Sequence, residues 1–261
     1  MKHINFKPNI LLLLIVWMLS VACSDDAMEE LEAELEEEII EEEQEQEDSD
    51  DLFYQLIRIE NLATNGSIDP DIAPTADRPI IYFSLEDSTV RDNLYLKTNQ
   101  WDISFGSIYN SFIGANNGKN PDNLGFGANS IGGIMILEEN FDDVTEVPSD
   151  DEFLTGRAVI GTDAQGAFGN IGLGLGWYLY DFGGTIMGDG SYNKMHVAYA
   201  LQDTRTIVVR TARGNYAKIR MISCYQDAFT PEEWFRDTPH MYFTFEYVIV
   251  PAGSTSFEIR G

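Results

Sequence analysis

Positive charge is scarce in this sequence. Its 261 residues carry 16 Lys and Arg against 44 Asp and Glu, a formal net charge of −28. A surface of that sign repels phosphate backbones, which excludes nucleic acid as a partner. Cysteine is nearly absent, and Cys23 and Cys224 are too few for a disulfide scaffold. Histidine is as rare: of three, His3 lies in the first few residues, so only His196 and His240 could act as bases. No nucleophile-elbow pattern surrounds a serine, and the chain reads as a non-enzyme. Paired carboxylates stay open, because 27 acids lie outside the most acidic stretch and spacing does not show which two face each other. The apolar run at residues 10–19 is too short to span a bilayer. Helix-like periodicity is sparse, whereas 22 glycines and repeated alternation favour an all-β domain.

The N-terminus carries Lys2, His3 and Lys7, then the apolar run, then Ser20-Val21-Ala22-Cys23. Small residues ending in a cysteine resemble a bacterial lipobox. Residues 1–22 are thus read as a lipoprotein signal peptide and Cys23 as the lipidation site, with an ordinary secretory signal cut after Ala22 as the alternative. Acyl chains would then hold the protein at a membrane by burying methylenes. Ser24-Asp25-Asp26 resembles the surface-export signal of Bacteroidetes lipoproteins. Residues 25–51 hold 17 acids and no base. Met28, Leu31, Leu35 and Ile39 recur at helical spacing, but the stripe is narrow and like charges surround it. Residues 23–51 therefore read as a lipidated cysteine and a self-repelling tether.

Residues 52–261 read as one mostly antiparallel, sandwich-like all-β domain with one or two short helices. Strands are expected at 52–60, 80–85, 100–108, 134–137, 158–160, 177–182, 195–200 and 241–249. In 100–108, Trp101, Ile103 and Phe105 alternate with Asp102, Ser104 and Gly106, the pattern of a half-buried strand. Residues 110–133 are rich in Gly and Asn and read as a long loop, functional or disordered. Residues 205–227 form a hairpin whose turn is Ala212-Arg213-Gly214-Asn215. Gly214 supplies the positive φ, and Lys218, Arg220 and Ile222 lie on the wetter face. Thr230-Pro231-Glu232-Glu233 predicts a short helix within 227–239. In 241–249, Met241, Phe243, Phe245, Tyr247 and Ile249 share a face. Asp189-Gly190 and Asp163-x-x-Gly166 lack calcium-loop spacing. Cys224 reads as a buried hydrophobe.

Several segments, in order, resemble the HmuY-like haem-binding lipoprotein family of Bacteroidetes. They are the lipobox, QWDISF at 100–105 with its Gly-rich sequel, Val147-Pro148-Ser149-Asp150, the Trp177 strand, VVRTARGNYAKIRMISCYQD at 208–227 and the terminal aromatic strand. The resemblance implies a β-rich domain, lipid-anchored at the outer membrane and surface-exposed. Such a domain captures haem and passes it to a TonB-dependent outer-membrane receptor. It also implies that two His or Met side chains, from loops flanking the aromatic strand, hold the iron. Residues 136–186 contain neither His nor Met, so a complete ligand pair does not carry over.

Haem requires an apolar slot, an axial nitrogen or sulfur, and positive groups near its propionates. Met187 and His196 are the candidate iron ligands, weighed against loop packing for the thioether and a hydrogen-bonded surface role for the imidazole. Trp177 and Tyr180 could line the porphyrin, or belong to the core like most strand aromatics. His240 precedes a strand face that reads as core. The alternative function is a non-catalytic surface interaction module of the same fold without haem ligands. A glycan-directed activity rests on location and aromatic content alone.

Overall fold

A computed structural model describes residues 52–63, 78–167 and 174–260. The stretches expected to be a signal peptide and an acidic tether, with the expected lipidation site Cys23, lie outside these residues. Within Leu52–Gly261, regular structure is almost all antiparallel strand. A five-stranded sheet has the order β1 (Leu56–Leu62), β11 (His240–Val250), β10 (Tyr216–Tyr225), β9 (Thr206–Arg210), β6 (Gly133–Leu137). A four-stranded sheet has the order β3 (Thr89–Arg91), β2 (Ile81–Ser84), β4 (Ile103–Gly106), β5 (Phe112–Ala115). β7 (Tyr178–Asp181) and β8 (Val197–Ala200) form a separate pair. Among the described residues, helix is limited to 3-10 turns of three residues each.

The two larger sheets pack through aromatic rings. Phe83 meets Phe245 edge-on at 5.6 Å between centroids, and Phe105 stacks on Phe243 at 4.6 Å. These strand aromatics are the ones the alternation predicts, because side chains two apart share a face. The other face of the five-stranded sheet is covered too. Val208, Val248 and Val250 pack with Phe141, Val144, Phe153 and Phe257. That second layer corrects the wetter face expected for the hairpin. Lys218 is buried, and its Nζ donates to the carbonyls of Phe141 at 2.7 Å and Val144 at 2.9 Å. Desolvation lowers its pKa. Similarly, β4 is buried on both faces, Ser104 included, as is Asp102 just before it.

Three further expectations change. β5 lies inside the stretch read as loop. The rest of that stretch is ordered by asparagine side chains: Asn123 Oδ1 accepts the N–H groups of Asn117 and Gly125, and Asn117 Oδ1 those of Lys119 and Asn120. Residues 227–239 form turns instead of a helix. Glu233 Oε2 does take the N–H groups of Phe229 and Thr230, as a helix start would, but Trp234 is drawn fully into the core. The expected strand at 158–160 is reduced to a single bridge between Ile113 and Ile160. The hairpin turn forms as anticipated. Gly214 has φ +99°, and Thr211 Oγ1 accepts the N–H groups of Gly214 at 3.1 Å and Asn215 at 2.9 Å.

Candidate functional site

The β7–β8 pair lies against the five-stranded sheet where β10 ends and β11 begins. The Ala198 N–H donates to the Tyr225 hydroxyl at 2.8 Å, tying the pair to β10. Gly176 precedes β7 where the backbone crosses Thr162 so closely that a Cβ would sit 2.2 Å from its carbonyl carbon. The approach is held by a buried ion pair: Asp163 Oδ2 accepts from Arg205 Nη2 at 2.9 Å and from the Gly176 N–H at 3.1 Å. Trp177 is thereby fixed, 2% exposed, with its indole Nε1–H on the Ser111 carbonyl at 2.7 Å.

A cleft of about 490 Å³ opens beside this strand, within the range of small-molecule sites. Its walls are mostly aromatic, from Tyr109, Trp177, Tyr178, Tyr180 and Tyr225, and Cys224 lies at its floor. Burial pushes the Cys224 thiol up to about 12, so it behaves as the expected hydrophobe. The same cause raises Tyr178, Tyr180 and Tyr225, which keeps these phenols neutral.

Two imidazoles reach this cleft. His196 Nδ1 is 2.8 Å from the Tyr180 hydroxyl, and its ring meets Phe182 edge-on at 4.7 Å. His240 Nδ1 donates to the Thr238 carbonyl at 3.1 Å, with the Tyr109 and Tyr225 rings beside it. A carbonyl cannot donate, so the proton of neutral His240 sits on Nδ1 and the Nε2 lone pair is free. A metal-binding imidazole is commonly oriented through its other nitrogen in this way.

Of the residues singled out from sequence, Trp177, Tyr180 and His196 line the cleft and Met187 does not. The Asp181 carboxylate gathers the N–H groups of Thr185, Ile186, Met187 and Gly188 at 2.8–3.2 Å, winding the loop upon itself and leaving Met187 52% exposed. His240 and Met241 enter instead. The ladder between β10 and β11 shifts register on both sides of Ser223, and Met241 has φ +74°. Such bulges re-aim side chains, and no strand alternation announces them.

Backbone strain gathers at the same place. Tyr109 (φ +55°), His196 (φ +63°) and Met241 (φ +74°) all line the cleft, and Ser107 and Asn110 adjoin it with φ +63° and +51°. Each such residue costs on the order of 1–3 kcal/mol, and such strain clusters at ligand sites. Asn110 Oδ1 and Arg78 Nε are buried without a hydrogen-bond partner. Asn110 Nδ2 holds the Pro79 carbonyl at 2.7 Å, which keeps the chain after Arg78 against this segment.

The HmuY protein family model matches residues 77–247. The chain belongs to the HmuY family. No curated protein matches it. Membership in that family points to a haem-related, non-enzymatic role. The matched span includes the four-stranded sheet, all of the five-stranded sheet but β1 and the end of β11, the Trp177 strand and every residue lining the cleft. The cleft suits a flat tetrapyrrole. It is aromatic and apolar, and it offers free imidazole nitrogen while the macrocycle supplies four ligands of its own. Among the described residues no cluster of three or more His, Cys, Asp or Glu could hold a bare metal ion.

Proposed function

We propose that the domain binds haem in the cleft beside β7, with His240 and His196 as axial donors and Trp177, Tyr180, Tyr109 and Tyr225 against the porphyrin. The observation that carries this reading is the His240 imidazole, oriented through Nδ1 with Nε2 free, in the same aromatic cleft as His196. Tyr180 sets the His196 ring through Nδ1, and the strained backbone at Tyr109, His196 and Met241 lies in the cleft walls.

Haemin titration tests the proposal. The wild-type protein gives a saturable Soret shift, His240→Ala or His196→Ala weakens it, and Met187→Ala does not. A protein without any spectral response would instead be the interaction module of the same fold.

We further propose that the protein serves haem uptake at the cell surface. It would be anchored in the outer membrane through Cys23 and would deliver haem to a TonB-dependent receptor. The support is the Ser20-Val21-Ala22-Cys23 sequence and the acidic stretch that follows. Fatty-acid labelling of the wild-type chain, lost in Cys23→Ala, checks the anchor. A deletion strain that grows normally on haem as its only iron source would contradict the uptake role.

A further inference from the structure

Arginine is scarce here and almost always neutralised. Seven of the ten arginines among the described residues sit in ion pairs. Arg78, Arg157 and Arg236 do not; of these three Arg236 lines the cleft, and Arg78 precedes the Pro79 that is held on Asn110, next to the cleft-lining Tyr109. The Arg236 guanidinium lies over the Tyr192 ring at 4.7 Å, and its backbone N–H is fixed on the Asn193 carbonyl at 2.8 Å. Arg78 stands at the Tyr109 side, its Nε buried and unpartnered, ahead of the Pro79 carbonyl that Asn110 holds. Both charges reach the facing phenols: Arg78 offsets part of the burial shift on Tyr109, and Arg236 part of that on Tyr180.

An unpaired, partly desolvated guanidinium is costly in a protein of net charge −28 with carboxylates in such excess. The pairing that would relieve it is a carboxylate, for which guanidinium offers a two-pronged donor. The acid lining the cleft is Asp237, adjacent to Arg236 in the chain, yet the two make no ion pair. The described residues therefore leave two anion sites beside a flat aromatic slot.

We propose that Arg78 and Arg236 are the carboxylate anchors of the cleft, so that it selects a planar macrocycle bearing two carboxylates, whether or not a metal is present. This rests on the tetrapyrrole reading of the cleft but is independent of the iron ligands. Iron-free protoporphyrin IX is then a ligand in its own right, and its dimethyl ester a poor one.

The test follows quenching of tryptophan emission as purified protein is titrated with protoporphyrin IX or with its dimethyl ester. The dicarboxylate binds at least about tenfold more tightly than the diester. Arg78→Met and Arg236→Met, which keep most of the apolar stem, each weaken the dicarboxylate by about tenfold, the scale of one charged hydrogen bond, and leave the diester unchanged. Arg236→Lys retains part of the preference as a point charge. Near-UV circular dichroism establishes that each variant is folded. Equal affinity for the two porphyrins, or an Arg78→Met/Arg236→Met protein with undiminished dicarboxylate affinity, overturns the anchors while a histidine-dependent haemin Soret shift leaves iron ligation standing. Arginine-dependent porphyrin binding without any haemin Soret shift upholds the anchors and overturns the iron ligands. Failure to bind either porphyrin overturns the anchors.

Discussion

The Asp102 carboxylate accepts the Ala212 N–H at 2.9 Å, joining the QWDISF strand to the turn of the long hairpin. Its other oxygen takes the Leu85 N–H at 2.7 Å. The two most recognisable stretches of the sequence are thus one hydrogen-bonded unit inside the protein. Glu86 extends it, accepting from Thr211 Oγ1 at 2.5 Å and Asn215 Nδ2 at 2.8 Å and pairing with Arg213.

That unit predicts a pH dependence. Burial, then the neighbouring Glu86 carboxylate, pushes Asp102 up to about 7. A carboxyl whose folded pKa is raised contributes stability that is fully present below its unfolded value of about 3.9 and lost as pH rises through its folded value. Urea unfolding between pH 4 and pH 7 should show this loss. Asp102→Asn should remove that part of the slope, while costing on the order of 1–3 kcal/mol because an amide cannot accept at both positions. An unchanged slope in the variant would sink the assignment.

The Asp163–Arg205 pair predicts a stability effect. Both side chains are almost fully buried, and the pair fixes the backbone that enters β7. Removing one partner, as in Arg205→Ala, leaves an uncompensated charge and should cost ~3–5 kcal/mol. Replacing both by apolar residues of similar volume should recover much of that. Chemical denaturation of the two single variants and the double variant provides the check; equal losses in all three would contradict it.

Tyr180→Phe deletes the hydroxyl beside His196 Nδ1. Loss of such an orienting partner typically costs about 10–100-fold in metal affinity. Haemin affinity should fall by at least ~tenfold with the melting temperature nearly unchanged. A variant with wild-type affinity would mean that His196 is not a ligand.

Asp181 predicts the behaviour of the Met187 loop. Four backbone N–H groups hold its carboxyl below the usual range despite its burial. Its contribution is present above the unfolded pKa and lost as pH falls through the lower folded value, hence below about pH 4. Asp181→Ala should speed amide exchange at Ile186, Met187 and Gly188 at neutral pH. If those amides keep wild-type protection, the carboxylate does not organise the loop.

Most of the fold could be read from alternation. Phe243, Phe245, Tyr247 and Ile249 share a buried face as their spacing says, and Gly214 marks the hairpin turn. β5 was hidden because Phe112, Ile113, Gly114 and Ala115 sit among glycines and asparagines, where local composition speaks for loop. The Thr230–Glu233 pattern imitates a helix start because the same carboxylate-to-backbone bonds serve a turn, and burial of Trp234 decides between them. The aromatic wall and His196 were visible as a strand with a nearby donor. His240 was not, because a regular β11 would give Met241 to the core; the register shift between the Ser223–Thr244 and Tyr225–His240 pairs sends both residues to the cleft. Arg78 and Arg236 carry no signal in sequence, since only tertiary contacts reveal which arginines lack a carboxylate.

Electron paramagnetic resonance of the ferric haem complex tests the central claim most directly. The account predicts a low-spin signal in the wild-type protein that His240→Ala and His196→Ala each convert toward high spin, and that Met187→Ala leaves alone. A low-spin spectrum that survives in the His196→Ala/His240→Ala protein, or haemin that binds with no change in any of these variants, would contradict it.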